Sequence, residues 1–291
     1  MDRFVGTGVA LITPFDENLN IDKESLGRLV THVIEGGVDF LVALGTTAET
    51  ATLNAVERTE VVNIIADVNN GRLPLMVGIG GNDTNEVIHE IKEAEYLKRC
   101  QGILSVTPYY NKPSQEGMYQ HFKAIAEISP LPICLYNVPS RTGVNISAET
   151  VVRLEQEFSN IIALKEASGN FEQATDLLKL KGSDFIVLSG DDVINLPLMS
   201  MGFDGVISVA ANVLPQKCSS LINSTSKGDF LTAQKLHIDL SDLCKLLFEE
   251  GNPAGIKAAL HAAGVIKHNT LRLPLVPVGD DLYGRLKIAI S

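Results

Sequence analysis

The chain has 291 residues, 45% of them hydrophobic, which suits one large domain, and its 24 Lys+Arg against 35 Asp+Glu give a formal net charge of −11. No cluster of Lys and Arg stands out against that acidity, which excludes nucleic acid and anionic membranes as partners, since both need a basic face. Four widely spaced cysteines without a CxxC pair and six histidines without HxH or HExxH spacing predict free thiols in a reducing cytoplasm and no dedicated metal site.

The opening Met1-Asp2-Arg3-Phe4 lacks the basic-then-apolar pattern of a signal peptide. No apolar run approaches the roughly 20 residues of a membrane helix. A cytoplasmic location follows as the expectation. Short apolar runs then alternate with amphipathic segments as far as Val209. Residues 8–12 read as a strand, followed by a helix over 22–36. The pairs after it are 40–44 with 54–69, 75–77 with 84–99, 102–106 with 114–128, 133–136 with 147–156, 161–164 with 170–180, and 185–188 with 192–201. An eighth strand over 205–208 leads into purely helical patterning from about 215 to 264, and 280–290 predicts one more helix. The strand runs show no polar alternation, as in strands covered on both faces. Asp22, Asn54, Thr84, Ser114 and Ser147 are placed to cap the helices that follow them.

Eight strand–helix units predict an α/β fold, a closed (β/α)8 TIM barrel over 1–225, with a C-terminal helical extension over 226–291 packed on it as part of one structural domain. An open doubly wound sheet is the alternative, and its GxGxxG fingerprint is missing.

Such barrels build their active sites at the carboxyl ends of the strands. The sixth strand leads directly into Lys165-Glu166. Burial disfavours the ammonium form of a lysine, and a neutral amine attacks carbonyl carbon to give a Schiff base. The structural alternative is that Lys165 pairs with Glu166 and seals the barrel mouth. Tyr136 ends the neighbouring strand and offers a phenol for proton transfer, or else a hydroxyl that merely meets water. Thr46 and Thr47 open a turn that can receive a carboxylate, or can bond to their own backbone. Arg141, in the run Pro139-Ser140-Arg141-Thr142-Gly143, can hold a second carboxylate by a bidentate fork, or remain a solvated surface arginine. Asp191 and Asp192 follow the seventh strand, where phosphate-binding barrels hold phosphate, and would repel one; one of them is expected to cap the next helix. Gly78-Ile79-Gly80-Gly81 predicts a tight turn more than a phosphate loop. The expected substrate is a small carboxylate without phosphate.

Gly45-Thr46-Thr47-Ala48-Glu49, Val106-Thr107-Pro108-Tyr109-Tyr110-Asn111, Tyr136-Asn137-Val138-Pro139-Ser140-Arg141-Thr142-Gly143, Leu164-Lys165-Glu166-Ala167, Leu188-Ser189-Gly190-Asp191-Asp192 and Gly251-Asn252-Pro253 stand in an order and spacing that resembles the dihydrodipicolinate synthase / N-acetylneuraminate lyase family over nearly the whole chain. Two threonines after Gly45, with Tyr110 and Arg141, resemble its synthases more than its sialic acid lyases. The resemblance implies a lyase of the Schiff-base aldolase type that condenses pyruvate with L-aspartate 4-semialdehyde, on the way to diaminopimelate and lysine. It implies a cytoplasmic homotetramer, a dimer of dimers, with no organic cofactor and no metal.

The roles it implies are an imine on Lys165 and a proton relay of Tyr136, Thr46 and Tyr110, the last reaching in from the adjacent subunit. Thr47 and Ile207 would hold pyruvate, Gly190 would line the site through its backbone, and Arg141 would anchor the semialdehyde. The alternative within the family is a pyruvate-dependent lyase of N-acetylneuraminate or a 2-keto-3-deoxy sugar acid; the alternative outside it is a non-catalytic barrel that binds a 2-oxo acid. Two positions depart from the family pattern. Ala48 replaces a usual glycine, at a cost if that position needs φ > 0. Thr50, Ala51, Asn82, Glu86 and Tyr109 match an inhibitory lysine site, but Ala55 and Arg58 stand where inhibited relatives often carry histidines.

Overall fold

A computed structural model describes residues 2–290. The eight apolar runs form parallel strands β1 (Gly6–Ala10), β2 (Phe40–Ala43), β3 (Leu75–Gly78), β4 (Gly102–Val106), β5 (Ile133–Asn137), β6 (Ile161–Glu166), β7 (Ile186–Ser189) and β8 (Gly205–Ser208). Each pairs with the next, and β8 returns to β1, closing the barrel. The (β/α)8 expectation therefore holds. Successive side chains of a strand point to opposite faces. Ala10, Val42, Met76, Leu104, Cys134, Ala163 and Leu188 fill the interior, while Val9, Leu41, Val77, Ile103, Leu135, Leu164 and Val187 pack outward against the helices. Both faces are dry, and the strands consequently read as unbroken apolar runs.

The helices are α1 (Lys23–Glu35), α2 (Ala55–Asn69), α3 (Thr84–Glu93), α4 (Gln115–Ile128), a single turn α5 (Pro139–Thr142), α6 (Ala148–Glu157), α7 (Phe171–Leu180), α8 (Asn195–Met201), α9 (Pro215–Ser226), α10 (Phe230–Glu249), α11 (Ala254–Ala262) and α12 (Asp280–Ala289). Asp22, Asn54, Ser114 and Ser147 cap as expected, Asn54 within a full capping box closed by Glu57. The cap of α3 is Asp83 and not Thr84, and that helix ends at Glu93, with a separate 3-10 turn over Glu95–Arg99. Residues 139–142, expected as loop, wind into α5, with Pro139 in its first turn and Gly143 left-handed at its end.

Most strands shift at an end by one or two residues from their apolar runs, and several of the shifts bring polar residues into the ladder. β1 starts two residues earlier than its apolar run, because fully buried Thr7 joins the ladder and its N–H bonds to the Asp39 carboxylate at 2.7 Å. β6 runs on through Lys165 and Glu166. The glycine run that begins with the last residue of β3 serves close approach and not a turn: none of Gly78, Gly80 and Gly81 has positive φ, and a Cβ on Gly78 would lie 2.2 Å from the carbonyl oxygen of Leu44. The 3-10 turn Asp2–Phe4 sets Phe4 into the amino end of the barrel, where its ring meets that of Phe40 edge to face at 5.5 Å. All four cysteines are free and buried. Among the described residues no helix is long and apolar enough to cross a membrane, and no group of three or more His, Cys, Asp or Glu is placed to hold a metal.

Candidate active site

The register of β5 against β6 sets Tyr136 directly opposite Lys165 at the carboxyl end of the barrel. Lys165 follows Ala163 by two residues, so its side chain shares the inward face, and only 6% of it is exposed. Its Nζ stands 4.3 Å from the centroid of the Tyr136 ring. Glu166 takes the opposite face. Its buried carboxylate accepts from Asn137 Nδ2 at 3.0 Å, Gln173 Nε2 at 3.0 Å and the Ser168 N–H at 2.6 Å. That carboxylate is satisfied by neutral donors outside the barrel, which removes the reading of Lys165 as the partner of Glu166.

Lys165 and Tyr136 open into a cavity of about 490 Å³ whose walls also carry Thr46, Thr47, Arg141 and Gly190. Gly45–Thr47 begin a 3-10 turn over Thr46–Ala48 that leaves Thr46 exposed and Thr47 buried. The Thr47 hydroxyl accepts from Asn252 Nδ2 at 3.0 Å, so its own proton remains directed to a further acceptor. Arg141 projects from α5 and donates to the Asn252 carbonyl at 3.3 Å. Asn252, which lines the cavity and touches both anion-binding candidates, was missed in the reading of site residues. Its signal was the Gly251-Asn252-Pro253 break within an otherwise helical stretch. The same wall takes Cys244, Lys245 and Phe248 from α10, residues with no sequence pattern to mark them.

Gly190 ends the β7 side of the cavity. A Cβ there would lie 2.7 Å from Ala167 Cβ and 2.9 Å from Lys165 Cε, closer than packed carbons come. Gly190→Ala is accordingly expected to displace the amine by a fraction of an ångström to ~1 Å and to slow imine formation by about 10²-fold. Single-turnover borohydride trapping measures it, and a wild-type rate would show that the lysine has room to spare.

Asp191 caps the next 3-10 turn through the Val193 N–H at 3.1 Å, and burial, more than the neighbouring Asp192, holds its carboxyl above the ordinary range. Asp192 instead crosses to the turn after β8 and accepts from the N–H groups of Val209 and Ala210 at 2.8 and 2.9 Å. Ile207 lies in the barrel interior with 1% exposure and does not line the cavity, in contrast to the contact expected of it. Ala48 needs no special backbone: the left-handed residues of this stretch are Leu44 and Glu49, so the departure from glycine is harmless.

Tyr110 also stays outside this cavity. It is 86% exposed, with φ +72. Tyr109 turns to a second cavity of about 410 Å³, which shares Thr46, Tyr136 and Arg141 with the first and is also lined by Thr50 and Ala51. Asn82 and Glu86 do not line it; the Asn82 carbonyl accepts from Asn111 Nδ2 at 2.9 Å. Arg58 does line it, and its guanidinium donates to Glu90 at 2.9 Å.

The family model of the dihydrodipicolinate synthetases matches residues 3–291. A 4-hydroxy-tetrahydrodipicolinate synthase of Flavobacterium psychrophilum is 49% identical over 99% of this chain and 98% of its own length. The crystal structure of a dihydrodipicolinate synthase from Thermotoga maritima superposes with a TM-score of 0.96 at 42% identity, covering 99% of this chain and 98% of that one. A chloride-inhibited dihydrodipicolinate synthase from Acinetobacter baumannii, solved with pyruvate, gives a TM-score of 0.94 at 42% identity over 98% and 97% of the two chains.

Proposed function

The chain belongs to the dihydrodipicolinate synthetase family, and from that premise we propose how its cavity performs the reaction. Its activity is that of a 4-hydroxy-tetrahydrodipicolinate synthase, a lyase that condenses pyruvate with L-aspartate 4-semialdehyde in lysine and diaminopimelate biosynthesis. The observation that carries the assignment of roles is one buried amine beside one phenol, in a cavity that also presents the Thr47 hydroxyl and the Arg141 guanidinium. Two such groups suit two carboxylates, one on each substrate.

Lys165 attacks the ketone of pyruvate and loses water to give the imine. Loss of a methyl proton gives an enamine, whose carbon adds to the aldehyde. The imine is the electron sink, and the chemistry asks for no cofactor. Tyr136 and Thr46 carry protons to and from the reacting atoms, with Tyr110 of a partner subunit as the third member of the relay. The Thr47 hydroxyl donates to the pyruvate carboxylate, Gly190 leaves room for the imine, and Arg141 holds the semialdehyde carboxylate. The working unit is a cytoplasmic homotetramer built as a dimer of dimers, supported by the exposed Tyr109, Tyr110, Leu273 and Val276. The second cavity is where lysine would act on the enzyme; the Arg58 guanidinium stands in it, paired with Glu90.

A coupled assay tests the assignment. Turnover with aspartate semialdehyde is expected to exceed that with N-acetylneuraminate or 2-keto-3-deoxy sugar acids. Faster cleavage of a sugar acid would overturn it, and no turnover with any of them would leave a binding barrel.

A further inference from the structure

Lys257, on α11, is fully enclosed, and the reaction described above makes no use of it. Its ammonium pairs with the carboxylate of Glu49, which is equally enclosed. It also donates to the Thr270 carbonyl at 2.9 Å and lies 4.1 Å from the centroid of the Phe15 ring. The second oxygen of Glu49 accepts from the Arg272 N–H at 3.0 Å, and Arg272 in turn pairs with Glu57 of α2. Burial brings Lys257 down to about 8, against the pull of the Glu49 carboxylate.

An enclosed ion pair is a poor device for stability. The desolvation of both charges offsets their attraction, and apolar residues of the same volume hold a core as well or better. What such a pair supplies is a defined geometry, and both of its ends belong to parts that build the cavity. Glu49 has φ +54, at the junction of the 3-10 turns Thr46–Ala48 and Thr50–Thr52. A non-glycine residue in that conformation costs about 1 kcal/mol or more and persists only where its surroundings hold it. Here the carboxylate is gripped from two sides. Lys257 lies in the first turns of the helix that follows Asn252-Pro253, and its own N–H bonds to the Pro253 carbonyl at 3.0 Å. Asn252 is the residue that holds Thr47 by its amide and Arg141 by its carbonyl.

We propose that the Lys257–Glu49 pair is a clasp that positions the pyruvate site: it fixes the Thr46–Thr47 turn against Asn252 and so aims the Thr47 hydroxyl and the Arg141 guanidinium. The clasp rests on the reading of the Lys165 cavity as the site of imine formation. Lys257 and Glu49 are positioning residues, since neither lines the cavity that holds Lys165.

The test is the double variant Lys257→Met/Glu49→Gln, which removes both charges and strands neither. Its melting temperature is expected to exceed that of either single variant, each of which buries an unpaired charge. Its KM for pyruvate is nevertheless expected to rise about tenfold, with a fall in kcat. Tyr283→Phe is the control, because it releases His261 on another side of the same helix (a 2.7 Å contact) and should leave KM unchanged. A double variant with wild-type KM and kcat overturns the clasp, as does a control whose KM rises in step with lost stability. If the double variant does not fold, Glu49→Asp decides: it keeps the charges and draws the turn by one methylene, so an unchanged pyruvate KM is again fatal. Borohydride reduction with pyruvate accompanies each measurement. Failure to label Lys165 in the wild type removes the reading of the cavity and the clasp with it, whereas a labelled wild type beside an unperturbed double variant removes the clasp alone.

Discussion

Lys165→Ala is expected to lower turnover by at least about 10³-fold while the fold and its melting temperature stay close to wild type. The loss is large because Lys245, the other amine on the cavity wall, is largely exposed and pairs with Asp242 at 3.8 Å instead of being enclosed beside Tyr136. Tyr136 is a phenol, and the carboxylate of Glu166 faces the other side of the barrel wall, committed to Asn137, Gln173 and Ser168. Lys257 is fully enclosed and paired with Glu49, so pyruvate has no route to it. The fold tolerates the change because Lys165 makes no ion pair among the described residues whose partner would be stranded in the interior. Reduction with borohydride in the presence of pyruvate should add one three-carbon unit to the wild-type peptide that contains Lys165, and nothing to the variant. A label that persists in Lys165→Ala, or that falls on another lysine, would remove the central role given to this residue.

The barrel was legible because a strand with two dry faces must be apolar at every position, and eight such runs alternate with capped amphipathic segments. Apolar runs report burial, however, and burial is not the ladder. Leu11 and Ile12 are buried beyond the end of β1, whereas polar Thr7 is inside it. Lys165 and Tyr136 could be found because strand ends are where such a barrel keeps its polar groups, and strand register then brings the two together without further help. Asn252 and the Lys257–Glu49 pair could not be found in the same way. Each joins segments some 200 positions apart in the chain (for the Asn252–Thr47 bond the separation is 205), and no local periodicity encodes a contact between a βα turn and a C-terminal helix. Arg141 was identified by type and neighbourhood, but its aim depends on the unexpected turn α5 and on the Asn252 carbonyl.

Mixing Lys165→Ala subunits with Tyr110→Phe subunits is expected to restore activity that neither variant has alone. The argument starts from the loop after β4. Tyr110 has φ +72 and Lys112 φ +47, two non-glycine residues in a conformation that costs about 1 kcal/mol or more each and that is kept where function demands it. The strain turns the Tyr110 ring away from its own barrel: it is 86% exposed and lines neither cavity of its own chain. A large aromatic ring left in water is unfavourable unless a partner covers it. If a two-fold partner does so, the contact is reciprocal, and each tyrosine completes the other subunit's proton relay. Tyr110→Phe alone should then cost about 10²-fold or more through the lost proton carrier. In a hybrid dimer one site lacks both Lys165 and the partner's hydroxyl, while the other has Lys165 from one chain and Tyr110 from its neighbour. Random reassortment of equal amounts makes half the dimers hybrids, so about a quarter of the sites should regain wild-type turnover. Activity measured after mixing and subunit exchange checks this, with each variant alone as baseline. Hybrids no more active than their parents would place Tyr110 at work within its own chain, or outside the reaction altogether.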